Sequence, residues 1–116
     1  MSKSSLDDSF RKWERQLRKG LLAYLVLREL ERSKHYGYSL IAALTRTLEA
    51  NMAEGTIYPL LNRLEQDEMI ESSWEIQRSG PARKYYRLTK LGRDLLAAMD
   101  QHWNHVSERV MRRGDA

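Results

Sequence analysis

The sequence predicts a mainly α-helical fold carrying one small β-hairpin, and three observations predict it. Apolar residues recur at spacings of three and four through most of the 116 residues, as helices with one buried face require. Between Ile70 and Leu88 the period drops to two on both sides of a strong turn signal, Arg78-Ser79-Gly80-Pro81, as two paired strands require. The chain has no cysteine and no apolar run longer than Leu21 to Leu27, so neither a disulfide framework nor a membrane span organises it. At this length one domain with a modest core is expected. The formal net charge of +4 comes with both signs abundant, a balance compatible with nucleic acid and equally with an ordinary solvated surface. The opening MSKSSLDDSF lacks the apolar stretch of a secretory signal, and a cytoplasmic protein is expected.

Taken in order, residues 1 to 5 are polar and expected to fray. Leu6, Phe10, Trp13 and Leu17 follow at spacings of four, three and four, with Arg11, Lys12, Arg15, Arg18 and Lys19 around them. This is an amphipathic helix. Placed ahead of the main core, it either folds back on its own domain or clasps a second subunit. Gly20 is expected to bend or interrupt it. Leu21 to Leu30 is apolar on nearly every face, which marks the central buried helix. His35-Tyr36-Gly37-Tyr38 reads as a turn, and Leu40, Ile41, Leu44 and Leu48 define a second amphipathic helix.

The third helix lies within Glu54 to Ile70, EGTIYPLLNRLEQDEMI. Ile57, Leu60, Leu61 and Leu64 form its buried face, and Thr56, Tyr58, Asn62 and Arg63 its polar one. Ala53 is a poor N-cap, and Pro59 has no amide to donate. The helix therefore either begins near Gly55 and Thr56 or bends at Pro59. Glu68 stands where a terminating glycine is expected. The hairpin comes next, its tip flanked by Arg78, Arg83 and Lys84. Thr89 can cap a last helix running to about Arg112, with Leu91, Leu95, Leu96, Met99, Trp103, Val106 and Val110 as its stripe. The four-three-four spacing at its end is a coiled-coil-like seam. Its far half extends past the core and needs a partner surface, most simply the same helix of another subunit.

Three helices followed by a two-stranded wing is the winged helix-turn-helix order, here with an N-terminal helix (residues 1–19), a DNA-binding unit (20–88) and a C-terminal dimerisation helix (89–116). The stretches HYGYSLI, EGTIYPLLNRLEQDEMI and GPARKYYRLTKLG resemble the PadR family of bacterial transcriptional regulators, and WERQLRKGLL is similar to a common family opening. The resemblance covers about residues 12 to 100. It implies homodimers on palindromic operators, usually repressors, with the third helix in the major groove and the wing near the phosphates or minor groove. It also points to the short subgroup, in which a single C-terminal helix serves dimerisation. Some members of that subgroup hold flat aromatic compounds between tryptophans of the last helix. Trp103 falls on that tryptophan position, with Leu95, Leu96 and Met99 nearby, while Asp100 replaces an aromatic position of those sensors.

The candidate DNA-contacting residues are Thr56, Tyr58, Asn62 and Arg63 on the third helix, and Arg78, Arg83 and Lys84 on the wing. Tyr36 and Ser39 join them at the start of the second helix, where hydroxyls can reach phosphates. A helix that buries one side and offers hydrogen-bonding groups on the other suits the major groove, and cations at a hairpin tip suit phosphates. Tyr58 suits either core packing or a phosphate. The candidate effector residues are Trp103, Met99, Leu95 and Leu96, for a small planar aromatic ligand at the two-fold axis. His102, His105 and Glu108 have no second cluster to make a metal site, and no cofactor is called for. No phosphate loop, nucleophile elbow or acid–base set marks an enzyme. Two other readings use the same scaffold: a protein-interaction module without DNA affinity, and a small-molecule sensor built on Trp103.

Overall fold

A computed structural model describes residues 3–112. The elements are α1 (Lys3–Arg32), β1 (His35–Tyr36), α2 (Gly37–Leu48), α3 (Glu54–Gln66), β2 (Ile70–Glu75), β3 (Arg83–Leu88) and α4 (Lys90–Met111). Residues 1 and 2 of the opening stretch expected to fray, and residues 113–116 of the C-terminal segment, lie outside the described residues. Ser4 and Ser5 are already helical.

Two expectations about α1 and its neighbour are corrected. Gly20 does not interrupt a helix, because α1 runs unbroken through it. The division at residues 19 and 20 is therefore a change of surroundings, not a break in structure. Glycine costs a helix only about 1 kcal/mol, less than the strong helix formers on both sides and the burial beyond it supply. At ~1.5 Å per residue, α1 is about 45 Å long. His35-Tyr36 is not only a turn: it forms β1, paired antiparallel with Tyr86 and Tyr85 of β3. The hairpin thus becomes a three-stranded sheet of order β1-β3-β2.

The core gathers Leu22, Val26, Leu27 and Leu30 of α1 with Leu40 and Leu44 of α2 and the four predicted residues of α3. Ile70, Tyr86, Leu88 and Leu96 close it from the wing and α4. The expected hairpin forms, with Ile70 opposite Leu88 and Trp74 opposite Lys84. Thr89 caps α4 as its type suggests, its hydroxyl accepting from Gly92 N at 2.9 Å. Gly92 is required there, since a Cβ would come within 2.0 Å of Met69 O.

The irregular ends of α3 resolve locally. Ala53 occupies the N-cap position without any side-chain bond, α3 starts at Glu54, and Pro59 lies inside it. Glu68 takes the left-handed conformation, φ 64°. Glu68 N then reaches Glu65 O at 3.0 Å and Met69 N reaches Leu64 O at 2.9 Å. Those two bonds terminate a helix in the way a glycine usually allows, at a backbone cost of roughly 1 kcal/mol for a residue with a Cβ.

Candidate nucleic-acid interface

α3 is held from beneath by Ile57, Leu60, Leu61 and Leu64, all buried. That leaves Thr56, Asn62 and Arg63 exposed on the opposite face. Tyr58 does something of both readings. Its hydroxyl lies over Gly37, where a Cβ would come within 2.2 Å, so a larger residue there would have to push the tyrosine ring aside. The ring nevertheless stays 39% exposed.

A cleft of about 290 Å³ lies between the start of α2, α3 and the wing. It brings together four of the predicted residues, Tyr36, Tyr58, Arg83 and Lys84, and adds Tyr38 and Trp74. The Arg83 guanidinium sits 4.4 Å from the Tyr36 ring centroid. Tyr36 also stacks on Tyr38 at 6.4 Å and meets Tyr85 edge-on at 5.5 Å. Such cation–aromatic contacts orient a guanidinium while leaving its hydrogen-bond donors free. Arg78 is exposed at the tip, outside this cleft.

The cations of the wing are not equivalent. Lys84 Nζ is 3.7 Å from Glu65 of α3, whose carboxylate also accepts from the Ser72 hydroxyl at 2.5 Å. Lys34 and Arg87 both bind Glu75, at 2.7 and 3.2 Å. These contacts hold the Glu75 carboxyl below its ordinary pKa, the Lys34 hydrogen bond being the main cause. Among the described residues no acid pairs with Arg83 or Arg78. Burial pushes the Tyr86 hydroxyl up in pKa against the opposing charge of Lys84, so Tyr86 stays neutral beneath the cleft.

Two predicted site residues are committed elsewhere. The Ser39 hydroxyl is taken up within its own turn: it accepts from Tyr36 N at 3.1 Å and lies 3.0 Å from both Tyr36 O and His35 Nδ1. It caps α2 instead of pointing outward. Leu96 is fully buried in the chain's own core, so it cannot line a surface that a ligand touches. Leu95 and Met99 pack partly on that core, while Trp103 is 40% exposed. Asp100, beside them, accepts from Tyr24 at 2.5 Å and from Arg28, joining α4 to α1. Trp74, 70% exposed, was missing from the sequence-derived set. Its alternation with Ile70 assigns it to the inward face, and only the length of the wing beyond α3 leaves it uncovered.

A helix with a free polar face, flanked by a cationic, tyrosine-lined wing, defines a winged-helix DNA-binding protein of the regulator class. The pattern of the transcriptional regulator PadR-like family matches residues 26–98. The chain belongs to the PadR family of transcriptional regulators. A PadR family regulator from Eggerthella lenta is 34% identical, covers 92% of this chain and 93% of its own, and superposes with a TM-score of 0.81. A PadR-like regulator from Bacillus cereus is 36% identical over 82% of this chain and 92% of its own, with a TM-score of 0.76. An uncharacterised protein of Lysinibacillus sphaericus is 32% identical over 92 residues, 78% of this chain and 84% of its own.

Proposed function

We propose that this regulator is a cytoplasmic homodimeric repressor that binds a palindromic operator through α3 and the wing. The observation that carries this reading is the exposed face of α3, Thr56, Asn62 and Arg63, beside a cleft where Arg83 is oriented by Tyr36. α3 offers hydrogen-bonding groups to base edges, and the wing offers charge to phosphates. Dimerisation is supported by apolar residues left uncovered on both long helices. Leu6, Phe10 and Trp13 of α1 are 57–63% exposed, and Val110 and Met111 of α4 are 73% and 76% exposed. Two copies related by a two-fold axis place their recognition helices about one turn, ~34 Å, apart. Trp103, with Met99 and Leu95 nearby on the same helix, supports a planar aromatic effector at that axis.

Gel-shift titration over a range of salt tests the wing. Arg83→Ala is expected to weaken binding across sequences and lower the salt slope by about 0.9, one phosphate's share. Lys84→Ala is expected to do less, because Glu65 already answers its charge. Unchanged affinity and slope in both variants would remove the wing from the mechanism.

A further inference from the structure

α1 changes character along its core-facing side. Leu22, Val26 and Leu30 lie on that side and are buried. Continuing the same side toward the N-terminus brings Lys19, Arg15 and Lys12, within about 60° of one another at ~100° per residue. The exposed stripe of Leu6, Phe10, Trp13 and Leu17 lies roughly opposite, about 170° away. The core-facing side therefore turns cationic where α1 overhangs the loop between α2 and α3.

A cleft of about 420 Å³ opens beneath this overhang, floored by Asn51, Met52 and Thr56. Lys12, Arg15 and Lys19 line it and are exposed, and no carboxylate pairs with any of them among the described residues. Arg18, in the same wall, is engaged by Glu14 at 3.4 Å. Three uncompensated cations facing one concave surface repel each other, and nothing in the core uses them. Thr56 places the cleft against the first turn of α3, where Ala53 supplies no capping oxygen to the helix amides.

We propose that this cationic overhang of α1 is a second phosphate-binding surface for duplex DNA, tracking the backbone on the side of α3 away from the wing. The inference rests on the DNA-binding reading above. The wing and the overhang then grip the strands flanking α3, and the overhang stays available in a dimer because its cations face away from the apolar stripe.

The test uses the full chain and sheared mixed-sequence duplex DNA, titrated over a range of salt. The Lys12→Gln, Arg15→Gln, Lys19→Gln triple variant is expected to keep helical content and self-association. Its slope of log affinity against log salt should fall by about 2 to 3, at ~0.9 per phosphate. Lys19→Gln alone should lower the slope by about 0.9, whereas Lys90→Gln, an equal charge change at the start of α4, should leave it unchanged. A folded triple variant with the wild-type slope would overturn the inference while leaving α3 and the wing as the interface. The same holds if Lys90→Gln matches Lys19→Gln, which would make the effect one of overall charge. Calorimetry with inorganic phosphate separates a free-anion site: phosphate binding lost in the triple variant, with the DNA slope retained, also overturns it. Wild-type protein without salt-sensitive DNA affinity would bring down the DNA-binding reading itself.

Discussion

The two halves of α1 are one continuous helix with opposite surroundings. After Gly20, Leu22, Val26, Leu27 and Leu30 are 0–7% exposed. Before it, Leu6, Phe10, Trp13 and Leu17 are 39–63% exposed at the same helical spacing. The first set finds its partners within the chain, where α1 packs against α4, α2 and β3. Among the described residues the second set stays largely uncovered, Phe10 and Trp13 meeting only each other's rings at 5.8 Å, although its residues are as large. A contiguous apolar stripe left in water is the mark of an association surface, so helical periodicity that yields a folding core in one half yields in the other the surface on which the proposed dimer rests.

The largest effect that sharpens this contrast comes from the buried half. Leu27→Ala removes a fully buried side chain and is expected to cost about 2–5 kcal/mol in denaturant unfolding, whatever the protein concentration. A loss below 1 kcal/mol would mean that the core is looser than its burial implies. Combining Phe10→Ala with Trp13→Ala is expected to act on association instead. Self-association measured by sedimentation should weaken at least about tenfold, ~1.4 kcal/mol, with the helical spectrum retained. A dimer of undiminished strength would break the comparison, since the exposed stripe would then be no interface. The smallest effect on stability belongs to Trp103→Ala, about 1 kcal/mol for a partly covered position. Its signature is spectroscopic: quenching of tryptophan fluorescence by acridine should disappear in Trp103→Ala and persist in Trp74→Ala. Quenching that survives Trp103→Ala would place any aromatic ligand elsewhere.

The candidate interface was legible in the sequence to different depths. Thr56, Asn62 and Arg63 were readable from helical period alone, because Ile57, Leu60, Leu61 and Leu64 determine which side of α3 stays wet. Arg83 was readable as a tip cation, but its partner Tyr36 was not, since the two are 47 positions apart and meet only when β1 joins β3. Ser39 reads as a phosphate ligand by residue type; its hydroxyl is instead consumed by a local cap, the usual competitor for serine at a helix start. β1 escaped notice because two residues cannot display a period, and its pairing depends wholly on β3.

Local sequence pattern carried the helices around a hairpin, the buried face of α3 and the family. Each of these follows from period, turn chemistry or short-range motif, all properties of neighbouring residues. Only the tertiary structure decided that Gly20 is spanned, that Leu96 is core while Trp103 is surface, and that Asp100 is tied to Tyr24 and Arg28. It alone placed Lys12, Arg15 and Lys19 over the entrance to α3. Those outcomes depend on which distant face arrives to cover a residue. Helical spacing shows that a side is apolar or charged, and the packing of the rest of the chain decides what that side meets.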